Sequence, residues 1–328
     1  MSGDDPLVTE AICKKVNLEI KGGKIITGDD LDKMNEKEFV ATIEKYTVFS
    51  RITPDHKYRI VKTLNTGADR TIAFMGDGIN DAPAIKVADV GISVSSATDI
   101  AKEAADIILL KPGLHVITDG IIEGRKIFSN ITKYILNTVS ANYGNMFTVA
   151  FSSLFLNFIP LLPSQILLNN LITDTPMLAI ATDNIDEEQL KKPKKLDLKM
   201  IRTFMSFFGL MSTIFDMALI LTLLFVFKAG PELFRTAWFF ESALSEVIVT
   251  FSIRTKLPFY KSKPGTMLLF ISMAVVATLV VLVFTPIGHI FEFVQLNMAM
   301  LGFILGIIAA YFTTAEIAKK YFFKKFQF

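Results

Sequence analysis

The chain has 328 residues, 51% of them hydrophobic, with 29 phenylalanines and a mean hydropathy of +0.45. That is too apolar for an ordinary soluble domain, while 20% charge is too much for a chain lying wholly in a membrane. The net charge of +2 argues against a nucleic-acid partner, and the lone Cys13 excludes an internal disulfide framework and a cysteine-based metal centre.

The opening, MSGDDPLVTEAICKK, has no apolar run of the signal-peptide kind. Its SGDD reads as a loop at a strand end with no strand before it, so the chain is expected to begin inside a domain. PLVTEAICKKVNL has helical spacing (Leu7, Ala11, Val16), with Asp4 and Asp5 placed to suit the helix dipole. TVFSRITPDHKYRIVKTL predicts a short strand, a turn at Pro54 and a helix. TIAFM predicts a buried strand, followed by a Gly-rich turn and a helix from about Pro83. VGISV and DIILL predict two more strands, with the helix SATDIAKEAA between them. Strands alternating with helices imply a parallel α/β sheet, whose ligands bind at the carboxyl ends of the strands.

From Asp119 a long helix is expected whose first half is polar and second half apolar, a stalk that enters a membrane. Apolar stretches follow at roughly 134–158, 163–181, 204–227, 235–253, 267–285 and 298–316, each near the length that crosses a core of about 30 Å. EEQLKKPKKLDLK, RTKLPFYKSKPG and KKYFFKKF are basic, and the alternate connections are not. Both termini are therefore expected in the cytoplasm. Trp238 fits a membrane interface, which leaves Glu241 near it two readings, solvated at the outer interface or part of the ion site. The expected organisation is an incomplete parallel-sheet domain at 1–118, a stalk at 119–133 and a six-helix membrane domain at 134–328.

Two groups of residues carry chemistry. In MGDGIND, Gly76 and Gly78 let the backbone turn sharply against a ligand. Asp77 and Asp81 are hard oxygen donors of the kind that hold Mg²⁺ beside a phosphate, and Asn80 offers an amide. Lys57 can neutralise a transferring phosphoryl group, and Ser2, Gly3 and Asp4 form a tight turn with a hydroxyl and free N–H groups. Singly, a DG turn is usually only a turn and a lysine a solvated face. Their combination carries the weight.

In the apolar part, an ionisable group inside a span costs about 2.5 to 3.5 kcal/mol and marks function by default. Asn142 and Asn145 lie three apart beside Gly144, on one helical face. Asn170, Thr173 and Asp174 form an oxygen-bearing stripe, and Pro176 frees the carbonyl of Ile172. Asp216, Glu241 and Glu246 complete the candidates for a transported-ion site. The two glutamates stand about 140° apart on a helix, so both cannot point squarely at one place. Such oxygens suit Mg²⁺ or Ca²⁺; the plainer alternative is hydrogen bonding between packed helices.

MGDGINDAPA, with SGDD and FSRITPDHK, resembles the phosphorylation domain of P-type cation pumps, members of the haloacid-dehalogenase superfamily. The resemblance implies that Asp77 binds a catalytic Mg²⁺, that Asn80 and Asp81 order the site, and that Lys57 and Ser2 contact the phosphoryl group. SANYGN and NLITD are similar to the ion-site segments of the fifth and sixth spans of such pumps. LPSQILLNNLITDTPMLAIATDNIDEEQLKKPKK, FFGLMSTIFD and FSIRTKLPF look most like the magnesium-transporting branch. Calcium pumps carry a glutamate where this chain has Asn145. The family's phosphorylated aspartate sits in an Asp-Lys-Thr-Gly-Thr string that does not occur here. Its nucleotide-binding and actuator domains and first four spans have no counterpart either. The resemblance thus implies the C-terminal part of an ATP-driven pump in a cell membrane, inactive alone. Its partners would be the bilayer, a transported divalent cation and a chain supplying the missing N-terminal domains. Two other readings stay open: a non-catalytic membrane subunit derived from such a pump, and a membrane-anchored phosphatase.

Overall fold

The computed structural model describes residues 1–67, 71–111, 113, 115–191 and 193–326. The chain divides into two compact units, Met1–Gly120 and Ile121–Phe328.

The first unit opens on helix α1 (Pro6–Lys15). Its first turn is capped by the Asp5 carboxylate, which accepts from the Leu7 N–H, and Pro6 supplies a preset φ. Strand β1 (Ile26–Thr27) runs into α2 (Gly28–Asp32), and α3 (Glu36–Lys45) follows. Reciprocal caps, Thr27 with Asp30 and Asn35 with Glu38, start these two helices. Strand β2 (Phe49–Ser50) pairs in parallel with β1 and leads to α4 (Pro54–Gly67). The second sheet has β3 (Ala73–Met75), α5 (Ala82–Val87), β4 (Val90–Val94), α6 (Asp99–Ala104) and β5 (Ile107–Leu109). Its order is β3-β4-β5, all parallel, as the alternation of strands and helices requires. Buried Phe74, Ala84, Ile85 and Ala101 pack with Val61 of α4 under this sheet, and Phe39, Phe49 and Ile60 under the other.

The long helix α7 (His115–Ser152) starts four residues before the expected Asp119. It is followed by α8 (Pro163–Ala179), the short α9 (Glu187–Leu190), α10 (Leu198–Phe225), α11 (Pro231–Ile253), α12 (Thr266–Phe284) and α13 (Met298–Lys325). A helix lies in each of the stretches expected to span, the first ending at Ser152 rather than 158. Among the described residues, three helices, α10, α12 and α13, are long and apolar enough to cross a membrane. The others differ for visible reasons: α8 has 17 residues, and α11 carries Glu232, Arg235, Glu241 and Glu246. Lys192, in the first basic connection, lies outside the described residues.

The second unit's core gathers around α11, where Phe234, Trp238, Phe239 and Val247 meet Leu219 and Leu223 of α10 and Ile304 of α13. This corrects the interfacial expectation for Trp238, which is 1% exposed, and the solvated one for Glu241, which is 0% exposed. The helix that carries them is enclosed by its neighbours. At the crossing of α7 and α10 the backbones touch: a Cβ added at Gly144 would lie 2.9 Å from the Gly209 carbonyl oxygen.

Candidate functional site

In the first unit, β3 ends at Met75 and the acidic turn follows. Asp81 fills the space a Cβ on Gly76 would need, 2.4 Å from the Asp81 Cβ, so glycine is required there. The Gly76 N–H donates to the Ile92 carbonyl at 3.1 Å, and the Ser93 hydroxyl to the Gly76 carbonyl at 3.0 Å. The Asp77 carbonyl accepts from the Thr98 N–H at 3.0 Å. With its backbone pinned from α6, Asp77 leaves its side chain exposed, as Asn80 does.

Asp81 is buried, and its Oδ1 accepts from Lys57 Nζ at 2.6 Å. That lysine comes from the first turn of α4, positioned by Pro54 and by the Thr53–His56 cap. Ser2 and Asp4 lie along β2: the Ser2 N–H donates to the Phe49 carbonyl, and the Arg51 N–H to the Asp4 carbonyl. The Ser2 hydroxyl donates to Asp4 Oδ2 at 2.7 Å, closing the turn around Gly3. The Met1 amino group is held below its ordinary value, first by burial and then by the Lys57 charge. Lys57 and Asp81 are thus brought together, with Asp77 and Asn80 on the same turn as Asp81.

In the second unit, Asn145 of α7 is the centre of an oxygen cluster. Its Nδ2 donates to Glu246 Oε2 at 3.4 Å, and its Oδ1 accepts from the Ser242 hydroxyl at 3.3 Å. Thr173 of α8 faces Glu246, and the Asp174 carboxylate is close enough to act on it electrostatically. A cavity of about 20 Å³ lies beside Asn145 and Glu246, its polar side formed by Asn137, Ser140, Ser242 and Ser245 and its apolar side by Phe208, Val249 and Ile253. Pro176 lies inside α8, where its missing N–H leaves the Ile172 carbonyl without its helical donor.

Asn142 is a correction: it is exposed and turned away from this cluster. The inward face of α7 passes through Gly144 and Thr148, and Asn145 sits at its edge, so a residue three before it faces outward. Asn170 lines a second cavity with Asn169, Asn145 and Trp238. Asp216 of α10 and Glu241 of α11 are buried apart from this cluster, and Glu241 lies about 140° around α11 from Glu246. The Thr148 hydroxyl donates to Asp216 Oδ2 at 2.8 Å, Glu241 adjoins Asp216, and neither Glu241 oxygen has a hydrogen-bond partner.

Thr148, Asn169 and Ser242 were not foreseen. Nor was the buried network on Asp183, which takes Lys133 at 2.7 Å, Arg254 at 2.8 Å and the Gly265 N–H at 2.8 Å. A single polar residue in an apolar helix does not name its partner, and these pairs are far apart in the chain. The one signal available was the acid-rich TDNID string directly after an apolar stretch.

Among the described residues, no three His, Cys, Asp or Glu side chains gather as a metal site. A divalent cation would therefore be held by one or two carboxylates with amide, hydroxyl, carbonyl, water or substrate oxygens. That donor set fits Mg²⁺, which keeps several waters. At the acidic turn, Asp77 is the carboxylate open to it, since Asp81 is engaged by Lys57.

The comparisons with known proteins bear on the same residues. The family described as cation transporting ATPase, C-terminus, matches residues 158–321. The chain belongs to that family. The haloacid dehalogenase-like hydrolase family matches residues 56–121, which include Lys57 and the acidic turn. The chain is 40% identical over 99% of its length to the magnesium-transporting ATPase, P-type 1, of Salmonella typhimurium and 39% identical to that of Escherichia coli. It is 32% identical over 94% of its length to a calcium-transporting ATPase of Bacillus subtilis. It spans 36% of the length of each of these relatives and is homologous to their C-terminal region.

Proposed function

We propose that this cation-transporting ATPase chain supplies the phosphate-site turn and the membrane ion site of an ATP-driven pump for Mg²⁺. The observation that carries this reading is the meeting of Asn145 of α7 with Ser242 and Glu246 of α11 beside a buried cavity, within the electrostatic reach of Asp174 of α8. Oxygen donors inside an apolar bundle are costly unless they have a ligand to serve. The printed names of the relatives supply the ion: those at 39–40% identity are magnesium-transporting. The relative at 32% favours Ca²⁺ as the second reading.

In this account residues 1–118 are the later part of the phosphorylation domain, 119–133 a stalk, and 134–328 six spans with both termini in the cytoplasm. At the acidic turn a bound Mg²⁺ would neutralise charge on the transferring phosphoryl group. Asp77 offers it an open carboxylate. Lys57 directs its ammonium toward the phosphoryl oxygens, and Asp81 fixes that ammonium in place. Ser2 and Asn80 orient the group by hydrogen bonds. ATP and the phosphorylated aspartate would belong to the complete pump. In the membrane, Asp174 and Glu246 carry the charge that binds Mg²⁺, while Asn145, Asn170 and Thr173 replace part of its water.

The test is a chimaera in which this chain replaces the matching C-terminal region of a magnesium-transporting relative, expressed in cells that need that relative for Mg²⁺ uptake. Restored uptake that Asp174→Asn abolishes is the expected result. A chimaera that inserts in the membrane, hydrolyses ATP and moves Ca²⁺ in place of Mg²⁺ would favour the second reading. One that moves neither would refute both.

A further inference from the structure

The Lys57 ammonium meets Asp81 from the first turn of α4, and the start of that turn is held by a histidine. Thr53 stands just before the helix. Its hydroxyl accepts from the His56 N–H at 3.2 Å, and its own N–H donates to His56 Nδ1 at 3.2 Å. The two bonds form a reciprocal cap, with an imidazole in the place that glutamate or glutamine usually takes. The Lys57 N–H then donates to the Thr53 carbonyl at 3.1 Å, so the backbone of the lysine is fixed by the same capping residue.

The cap dictates which ring nitrogen carries hydrogen. A backbone N–H can only donate, so Nδ1 is the bare nitrogen and Nε2 holds the hydrogen. Nε2 stands 2.9 Å from Asp32 Oδ1, to which it donates. Asp32 is the last residue of α2 and meets the ring from the surface: its side chain is 64% exposed and that of His56 6%. Glycine at the start of α2 makes the approach possible. A Cβ on Gly28 would lie 2.4 Å from the Arg51 carbonyl oxygen and 3.1 Å from His56 Cε1 and Nδ1. Both ends of α2 are therefore used, Gly28 to admit the ring and Asp32 to orient it.

We propose that His56 is the positioning residue of Lys57: Asp32 fixes the ring so that its bare nitrogen caps α4, and the capped turn delivers the Lys57 ammonium to Asp81. Its bearing on phosphoryl chemistry rests on the reading of Lys57 as the ammonium that meets the phosphoryl group. Without the ring, the Thr53 N–H loses its acceptor and the first turn frays. A long lysine side chain then regains the rotamer freedom it gave up to reach Asp81. His56 thus acts through the turn and not on a ligand. The chain of contacts is hidden in the sequence, because Asp32 and His56 stand 24 positions apart.

The experiment measures how fast acetic anhydride modifies Lys57 in the full chain in lipid nanodiscs, read by mass spectrometry of its peptides. An amine held against Asp81 reacts slowly, and Asp81→Ala sets the rate of the released amine. His56→Leu keeps the bulk of the ring and removes both nitrogens. It should raise Lys57 labelling by about fivefold, the effect of one lost hydrogen bond. The half-buried Lys102 of α6 should label as before. Asp32→Ala should raise Lys57 labelling less, since the cap survives. His56→Gln supplies an acceptor at the capping position and should restore the slow rate. A Lys57 rate unchanged in His56→Leu would overturn the proposal. So would a rise shared by Lys102, which marks general loosening, or a His56→Gln chain that labels like His56→Leu. In the chimaera, His56→Leu should lower phosphoryl turnover and His56→Gln should recover it. Labelling that follows the expected pattern while turnover stays constant supports the positioning of Lys57 and counts against its phosphoryl role.

Discussion

Lys57 Nζ stands 2.6 Å from Asp81 Oδ1 and ties the start of α4 to the turn after β3. Both side chains are mostly buried, at 19% and 11% exposure, so neither can lose its partner without cost. Lys57→Met should destabilise the first unit by about 1–3 kcal/mol, and Asp81→Asn should do the same. Asp77→Asn should change stability by less than about 0.5 kcal/mol, because its side chain is exposed. In the chimaera all three should lose phosphoryl turnover. Chemical denaturation paired with ATPase assays separates the two effects. An unstable Asp77→Asn protein would contradict the assignment of Asp77 to ligand binding.

The α7–α10 crossing makes a second test. Gly144 has no room for a Cβ against the Gly209 carbonyl and Ser212. The same turn of α7 carries Asn145 and, one turn on, Thr148, which holds Asp216. Gly144→Leu should cost about 1–3 kcal/mol or more by forcing the helices apart. It should weaken Mg²⁺ binding as well, although residue 144 contributes no ligand. Thermal unfolding in detergent and Mg²⁺ calorimetry on the same sample check both effects.

Much of the fold was legible from periodicity and punctuation. The strands at 73–75, 90–94 and 107–109 and the helices around them lie where alternation and Gly-rich turns place them. Strand β1 was not foreseen, because two residues show no period. At the candidate site, MGDGIND and NLITD identify themselves by residue type, but the partners of those residues lie far off in sequence. Lys57 reaches Asp81 across 24 positions and Asn145 reaches Glu246 across 101. Asn142 failed for a local reason: three residues along a helix turn far enough to change which face a side chain shows at the edge of a contact. Trp238 and Glu241 look interfacial from composition and are buried, because the neighbours that enclose α11 come from α10 and α13.

Asp183 holds Lys133 and Arg254 inside the second unit, with all three side chains almost fully buried. Removing one partner of a buried ion network strands the others. Asp183→Ala should therefore destabilise by about 3–5 kcal/mol. Joint replacement, Asp183→Leu with Lys133→Met and Arg254→Met, should recover much of that loss. Thermal melts of the two variants decide it; equal losses would show that the network's charge balance is not what stabilises this region.

Acid should loosen the first unit at a defined place. The Asp30 carboxyl is held below its ordinary value by the Thr27 backbone N–H and then by its hydroxyl. A group whose folded value is depressed stabilises above its unfolded value and loses that contribution as pH falls through the folded one. The effect should therefore be full above the ordinary carboxyl value of 3.8 and be lost progressively as pH falls from there through the lower folded value. Hydrogen exchange in α2, measured from neutral pH to below that value, should show protection falling there. In Thr27→Ala the fall should be smaller, since the cap is already weakened.

The most direct test of the central claim is calorimetric titration of Mg²⁺ into the full chain in nanodiscs, with Glu246→Gln and Asp174→Asn beside it. A single saturable site in the unsubstituted chain, weakened at least about tenfold in each variant, is the predicted result. Binding that neither substitution changes would place the ion elsewhere and contradict the site built on Asn145, Glu246 and Asp174.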